Sequence, residues 1–146
     1  MSTRLVIAAV QANPTVGAVE GNEALARQQL AKARAAGADI ALFPELFLCG
    51  YPPEDLALKP ALWRACKAAV ERLAAETRDG PAALIGLIWP PETPGAKPRN
   101  ALAYLADGAV QGIAFKCDLP NYEAGSWGPA ASDEMLARRG HHWRLS

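Results

Sequence analysis

The chain has 146 residues, of which 51% are hydrophobic and 21% are charged, as in an ordinary soluble globular protein. Its 15 basic and 15 acidic residues balance, so no net field favours a nucleic acid or an anionic membrane as a partner. No apolar run reaches the roughly 18 residues of a membrane span, and the N-terminus does not resemble a signal peptide. Three widely spaced cysteines form neither a disulfide framework nor a metal motif. We therefore expect one cytoplasmic domain, or part of one, without a metal.

The first forty residues predict a strand followed by a helix. Residues 4–11 read RLVIAAVQ, a short and almost wholly apolar run that is typical of a strand buried on both faces. Asn22 is predicted to cap a helix that runs to about Ala36, where Gly37 stops it. Glu23 and Arg27 are four residues apart and should form a supporting ion pair on that helix.

A second strand, a second helix and a third strand follow in the next fifty residues. Residues 40–43 predict another buried strand, and the glycine- and proline-rich stretch 45–59 predicts a loop. Pro60 is a good first residue for a helix, and the residues after it carry an apolar stripe at helical spacing. Residues 82–88 predict the third strand.

A β-hairpin is predicted as the last element of regular structure before residue 116. Asp107-Gly108 lies between apolar runs at 100–105 and 109–115, which is a strong signal for a two-residue turn. The order is therefore β-α-β-α-β followed by a hairpin, which predicts an α/β layered fold with a mixed sheet.

The chain changes character after residue 122. Residues 123–146 show no strand alternation, and only 132–139 suggest a weak helix. The adjacent His141 and His142 lack a second ligand pair, so they make a poor metal site. We expect a divergent tail that need not be ordered.

Two charged residues stand at predicted strand ends, where ligands bind in α/β folds. Glu45 follows the second strand within FPELFLCGYPPEDL, and its apolar neighbours should raise its pKa and make it a better base near neutral pH. Lys116 ends the hairpin and could stabilise a developing oxyanion. From position alone, a solvated loop glutamate and an ordinary strand-end lysine remain open.

The surrounding motifs narrow these alternatives. The strings FPE, GYPPEDL and KCDLPNY, with the opening VIAAVQANPTVGAVEGN, resemble the nitrilase (carbon-nitrogen hydrolase) superfamily over residues 4–122. More narrowly, they resemble the N-terminal glutaminase domain of glutamine-dependent NAD synthetases. The resemblance implies part of an α-β-β-α sandwich that releases ammonia from glutamine. It makes Glu45 the general base, Lys116 the oxyanion-stabilising residue, and Tyr51 and Tyr122 substrate-pocket residues; for both tyrosines, simple packing is the alternative.

The resemblance also implies what the hydrolase needs. It requires no cofactor, because ATP is used only by a synthetase domain whose glycine-rich motifs do not occur in this sequence. Its nucleophilic cysteine should lie some tens of residues beyond the lysine, yet no cysteine follows Cys117. Strand alternation turns Cys117 away from Lys116, and Cys66 lies on the apolar helix stripe, which leaves Cys49 as the remaining candidate. We therefore expect little or no glutaminase activity from this chain alone.

The resemblance stops at Glu123, which is consistent with a truncated or frameshifted gene. Three functions therefore remain open. The chain is an incomplete glutaminase, a non-catalytic fragment or binding module that can form a homo-oligomer, or a hydrolase of another small amide.

Overall fold

A computed structural model describes residues 4–116 and 143–145. These residues form two α-helices and six strands: β1 (Ile7–Ala9), α1 (Val19–Ala35), β2 (Ile40–Leu42), α2 (Pro60–Ala74), β3 (Ala82–Trp89), β4 (Arg99–Ala106), β5 (Ala109–Lys116) and β6 (Trp143–Leu145). Short 3-10 helices span Glu54–Leu58 and Ala75–Thr77. Within this part of the chain, neither helix has the length and apolar character needed to cross a bilayer.

The strands form one sheet in the order β1-β2-β3-β4-β5-β6. The first three strands run parallel, and each later strand pairs antiparallel with the one before it. The predicted α/β fold with a mixed sheet is therefore confirmed. Parallel pairing needs crossover connections, which α1 and the long segment containing α2 supply.

The two faces of this sheet are covered differently. On the helical face, α1 packs against β2 and α2 packs against β3, β4 and β5. A row of residues on that face, Ala41, Ala83 and Leu105, is completely buried. The opposite row is Leu42, Leu84 and Tyr104, with Leu42 at 41% and Tyr104 at 39% exposure. We call this side the open face.

The first strand differs from its prediction. β1 covers three residues instead of eight, lies at the sheet edge, and leaves Ile7 54% exposed on the open face. Burial on both faces was therefore wrong for 4–11, and Leu42 shows the same error in β2. A short apolar run does not distinguish an edge strand from a central one, because both can be equally apolar.

Asn22 does not cap α1. The helix begins at Val19 after Ala18, which makes no side-chain cap, and Asn22 lies buried inside the first turns. Its amide instead accepts from Thr15 N at 2.8 Å and donates to Thr15 O at 2.8 Å and Leu48 O at 3.1 Å. Asn22 therefore ties the segment before the helix to the segment that follows β2.

The predicted ion pair on α1 is confirmed and is larger than expected. Glu23 accepts from Arg27 at 2.5 Å and also from Arg72 of α2, at 2.6 and 3.0 Å. Arg72, followed by Arg27, lowers the pKa of the Glu23 carboxyl against the opposing effect of its burial. The carboxylate thus joins the two helices that cover the sheet.

The hairpin turn is confirmed at Asp107-Gly108, where both residues have positive φ, 54° and 79°. This is the left-handed conformation that a two-residue turn with the twist of its strands requires. Gly108 N also donates to Thr77 Oγ1 at 3.1 Å, which fixes the turn to the end of the second helix region.

One part of the tail forms regular structure. Trp143–Leu145 pairs antiparallel with β5, with Trp143 opposite Lys116, although the sequence predicted no strand there. The helix candidate at 132–139 and the histidines at 141 and 142 lie outside the described residues.

Candidate active site

Glu45 and Lys116, 71 positions apart in sequence, meet at the end of the sheet. Lys116 Nζ donates to Glu45 Oε1 at 2.8 Å. The lysine side chain is only 8% exposed, whereas that of Glu45 is 38% exposed. A carboxylate that solvent can reach, paired with a buried ammonium, suits a group that exchanges protons beside a fixed positive charge.

Asn100 is a third member of this cluster. Its Nδ2 donates at 2.5 Å to the same Oε1 atom of Glu45. The β4–β5 register pairs Ala101 with Phe115, so Asn100 and Lys116 are cross-strand neighbours that point to the same face. Both donors therefore reach the carboxylate from adjacent strands and restrict its orientation.

The carbonyl oxygen of the Asn100 side chain, Oδ1, is a buried acceptor without a partner in the part of the chain that the structure describes. Asn100 is 4% exposed, and its Oδ1 has no hydrogen-bond partner among the described residues. A buried unsatisfied acceptor costs about 1–3 kcal/mol. Nothing in the sequence pattern singled out Asn100, although a polar residue inside an otherwise apolar strand is a signal that could have done so.

The segment 43–48 places Glu45 over the sheet. Phe43 N donates to Leu84 O at 2.8 Å and Leu48 N donates to Gly86 O at 3.1 Å, so β3 holds the segment on both sides of the glutamate. The rings of Phe43 and Phe47 are buried and meet edge to face, with centroids 5.0 Å apart. The apolar neighbours of Glu45 therefore anchor its backbone while its side chain remains partly exposed.

The described cysteines are not placed for nucleophilic attack. Cys49 is completely buried and its Sγ donates to Leu46 O at 3.3 Å. The adjacent Cys66 side chain, and then burial, raise the pKa of the Cys49 thiol well above its ordinary value. Because the thiolate is the nucleophile, Cys49 fails as the remaining candidate. Cys66 is buried in the core as predicted, and Cys117 lies outside the described residues.

The two predicted pocket tyrosines have different outcomes. Tyr51 is 63% exposed, so it does not pack in the core, and its role in a substrate pocket stays a prediction. Tyr122 lies outside the described residues. Within residues 4–116 and 143–145, no cluster of three or more histidine, cysteine, aspartate or glutamate residues could hold a metal ion.

Curated sequences related to this chain share one name. The chain is 45% identical over 121 residues to a glutamine-dependent NAD(+) synthetase from Rhodobacter capsulatus, covering 83% of this chain and 21% of that protein. It is 41% identical over 120 residues to the protein of the same name from Thermotoga maritima, covering 82% and 20%. The chain thus spans about a fifth of the length of these relatives.

Solved structures agree on the fold. A glutamine-dependent NAD(+) synthetase from Cytophaga hutchinsonii superposes with a TM-score of 0.79 at 23% identity, over 95% of this chain and 24% of that one. A variant of the amidase from Nesterenkonia sp. AN1 carries the acetamide moiety of fluoroacetamide, added covalently at its active-site cysteine. It superposes with a TM-score of 0.75 at 26% identity, over 88% of this chain and 49% of that one. The predicted nitrilase-like architecture is confirmed by these neighbours.

The family match covers most of the sequence. The carbon-nitrogen hydrolase family matches residues 6–139, which include Glu45, Asn100 and Lys116. The chain belongs to the carbon-nitrogen hydrolase family.

Proposed function

We propose that this chain supplies the base and the oxyanion-stabilising lysine of a site that hydrolyses the side-chain amide of glutamine and releases ammonia for NAD synthesis. The observation that carries the proposal is the 2.8 Å pair between Lys116 and Glu45. It occurs in a chain whose curated relatives are named glutamine-dependent NAD(+) synthetases.

The chemistry assigns a separate task to each residue. An amide carbonyl is a weak electrophile, so a thiolate attacks it after Glu45 has accepted the thiol proton. Negative charge then develops on the carbonyl oxygen, and the Lys116 ammonium stabilises it. Glu45 returns the proton to the leaving nitrogen, ammonia departs, and a thioester remains. Glu45 next takes a proton from water, whose oxygen attacks the thioester carbon. The thiolate then leaves and recovers that proton from Glu45, which releases glutamate and restores the carboxylate base.

The thiol must come from outside the described residues, since Cys49 and Cys66 are both completely buried in the core. The amidase neighbour, whose active-site cysteine forms a covalent adduct, supports a cysteine nucleophile for this site. We expect little or no ammonia from the purified 146-residue chain with glutamine. Activity of this chain that Cys49→Ala abolishes would contradict this assignment.

A segment exchange tests the two assigned residues directly. Residues 4–116 replace the aligned segment of the Rhodobacter capsulatus synthetase, to which the chain is 45% identical. The chimera should release ammonia from glutamine. Glu45→Gln should reduce kcat roughly 1,000-fold or more, because the loss of one member of a catalytic unit can cost nearly as much as the loss of the whole unit. Lys116→Met should reduce kcat about 100- to 1,000-fold, the range for loss of one oxyanion-stabilising group.

Two exposed residues of matching type provide the controls. Glu71→Gln on α2 and Lys32→Met on α1 remove the same charges far from the pair and should leave kcat within about twofold. A folded chimera that releases no ammonia from glutamine would refute the glutaminase proposal. Equal losses in the control variants would refute the roles of Glu45 and Lys116.

Hydrolysis of another small amide is the second candidate, and the amidase neighbours at 26–28% identity favour it. Incubating the chimera with acetamide, propionamide, asparagine and glutamine separates the two functions. A kcat/KM for a simple amide above that for glutamine would select the amidase function.

A further inference from the structure

Gly86 lies in the interior of β3, where glycine weakens a strand because it has no side chain to pack. Its φ is not in the left-handed region, so the backbone conformation does not require glycine. Glycine at this position must therefore be explained by the room that a side chain would need.

The space above Gly86 is occupied by the backbone that carries Glu45. A Cβ on Gly86 would lie 2.4 Å from Leu46 N, 2.6 Å from Pro44 O and 2.9 Å from Glu45 C. Real Cβ atoms do not approach other heavy atoms this closely. All three contacts are backbone atoms, so no side-chain rotation can relieve them, and the segment itself would have to move.

The segment has little freedom to move sideways. It is hydrogen-bonded to β3 through Phe43 N and Leu48 N, and Leu46 already has a positive φ of 54°. Leu46 and Phe47, which belong to the segment, are themselves buried. A new methyl group would therefore lift the segment away from the sheet, and Glu45 would rise with it.

We propose that Gly86 is a positioning residue, whose missing side chain allows the Glu45 backbone to lie against β3 at the height that joins its carboxylate to Lys116 and Asn100. The inference rests on the proposed function in one respect, since it assigns Glu45 as the base of that site. The geometry itself requires no substrate: Lys116 and Asn100 are fixed on β5 and β4, so lifting Glu45 lengthens both contacts together.

The test measures the coupling between Glu45 and Lys116 in the full 146-residue chain. A double-mutant cycle of Glu45→Gln and Lys116→Met, followed by urea denaturation, gives the coupling free energy of the pair. The cycle is then repeated in the Gly86→Ala background. We expect the coupling to fall below half of its value in the parent chain.

Gly112 offers a matched control, because it lies inside β5 and a Cβ there would meet nothing within 4 Å. Gly112→Ala should retain the coupling, whereas an equal loss in both glycine variants would overturn the proposal. Absence of coupling in the parent chain would overturn it as well.

A second variant covers the case in which Gly86→Ala does not fold. Pro44→Gly/Gly86→Ala has a looser segment that can rise over the methyl group, so it should fold but lack the coupling, while Pro44→Gly alone should keep it. Retained coupling in either folded Gly86 variant would refute the role of Gly86. Unfolding of both would also refute it, because the glycine would then serve the whole sheet rather than Glu45.

The cycle is independent of activity, so the two proposals fail separately. A chimera that is inactive on glutamine, together with the expected loss of coupling, would remove the glutaminase function and leave the positioning role of Gly86 in place.

Discussion

The two faces of the sheet differ in what covers them. On the helical face, α1 and α2 pack against the strands from β2 to β5. Among the described residues, the segment 43–48 covers one end of the open face, and Ile7, Leu42 and Tyr104 are exposed at the other end. The sheet residues beneath the helices, such as Ala41, Ala83 and Leu105, are apolar and completely buried. The open face combines apolar residues with the polar cluster at Glu45. Successive side chains along a strand point to opposite faces. The same strands therefore supply the packed core on one face and the polar cluster on the other.

The largest expected difference between the faces concerns packing. Leu105→Ala on the helical face removes a completely buried side chain and should lower the free energy of unfolding by about 2–5 kcal/mol. Leu42→Ala on the open face removes a side chain that is 41% exposed and should cost less than about 1 kcal/mol. Urea denaturation of both variants measures the contrast. Similar costs would mean that the open face is covered in solution.

The ion-pair network on the helical face should contribute less. Glu23→Gln should lower the free energy of unfolding at pH 7 by about 1–2 kcal/mol, because Arg27 and Arg72 lose a charged acceptor. Both arginines are partly exposed, which keeps the cost at the low end of the range for buried pairs.

The pH dependence of that contribution has a definite sign. The pKa of Glu23 is lowered on folding, so its stabilisation is present above its unfolded pKa of about 4.3 and is lost as the pH falls through the folded value. In urea titrations, the gap between the parent chain and Glu23→Gln should narrow as the pH falls below the unfolded pKa. A gap that widens on acidification would contradict the assignment.

The smallest stability effect should occur in the polar cluster of the open face. Asn100→Leu removes a charge-assisted bond to Glu45 but also removes the unsatisfied Oδ1, and the two terms are of similar size, so stability should change by less than about 1 kcal/mol. In the chimera, kcat should still fall about 10-fold or more, because the carboxylate loses the Asn100 donor that helps to orient it. A large loss of stability with unchanged kcat would show that Asn100 serves the fold.

Local signals in the sequence were sufficient wherever the chain's own chemistry decided the structure. The Asp107-Gly108 turn and the start of α2 at Pro60 follow from backbone preferences, and both are confirmed. The meeting of Glu45 and Lys116 was expected from their positions at strand ends together with the family motifs. Their catalytic roles and those of the tyrosines remain predictions.

Features decided by distant residues were missed. The edge position of β1 depends on strand order, which an apolar run does not encode. Asn22 is a residue type that often caps helices, but its side-chain amide bonds to backbone groups of Thr15 and Leu48 instead. Asn100 and Gly86 act through a segment more than 35 residues earlier in the chain, so only the assembled sheet reveals what they contact.

The separation in sequence between the two charged partners has a consequence for the order of folding. Lys116 stands on a run of successive antiparallel strands, β3 to β5, whose contacts are local and form quickly. Glu45 reaches it only after parallel pairing of β2 with β3, which closes a loop of about forty residues and is intrinsically slower. The contact between base and lysine should therefore form late in folding, and partial unfolding should separate Glu45 from a strand pair that remains intact.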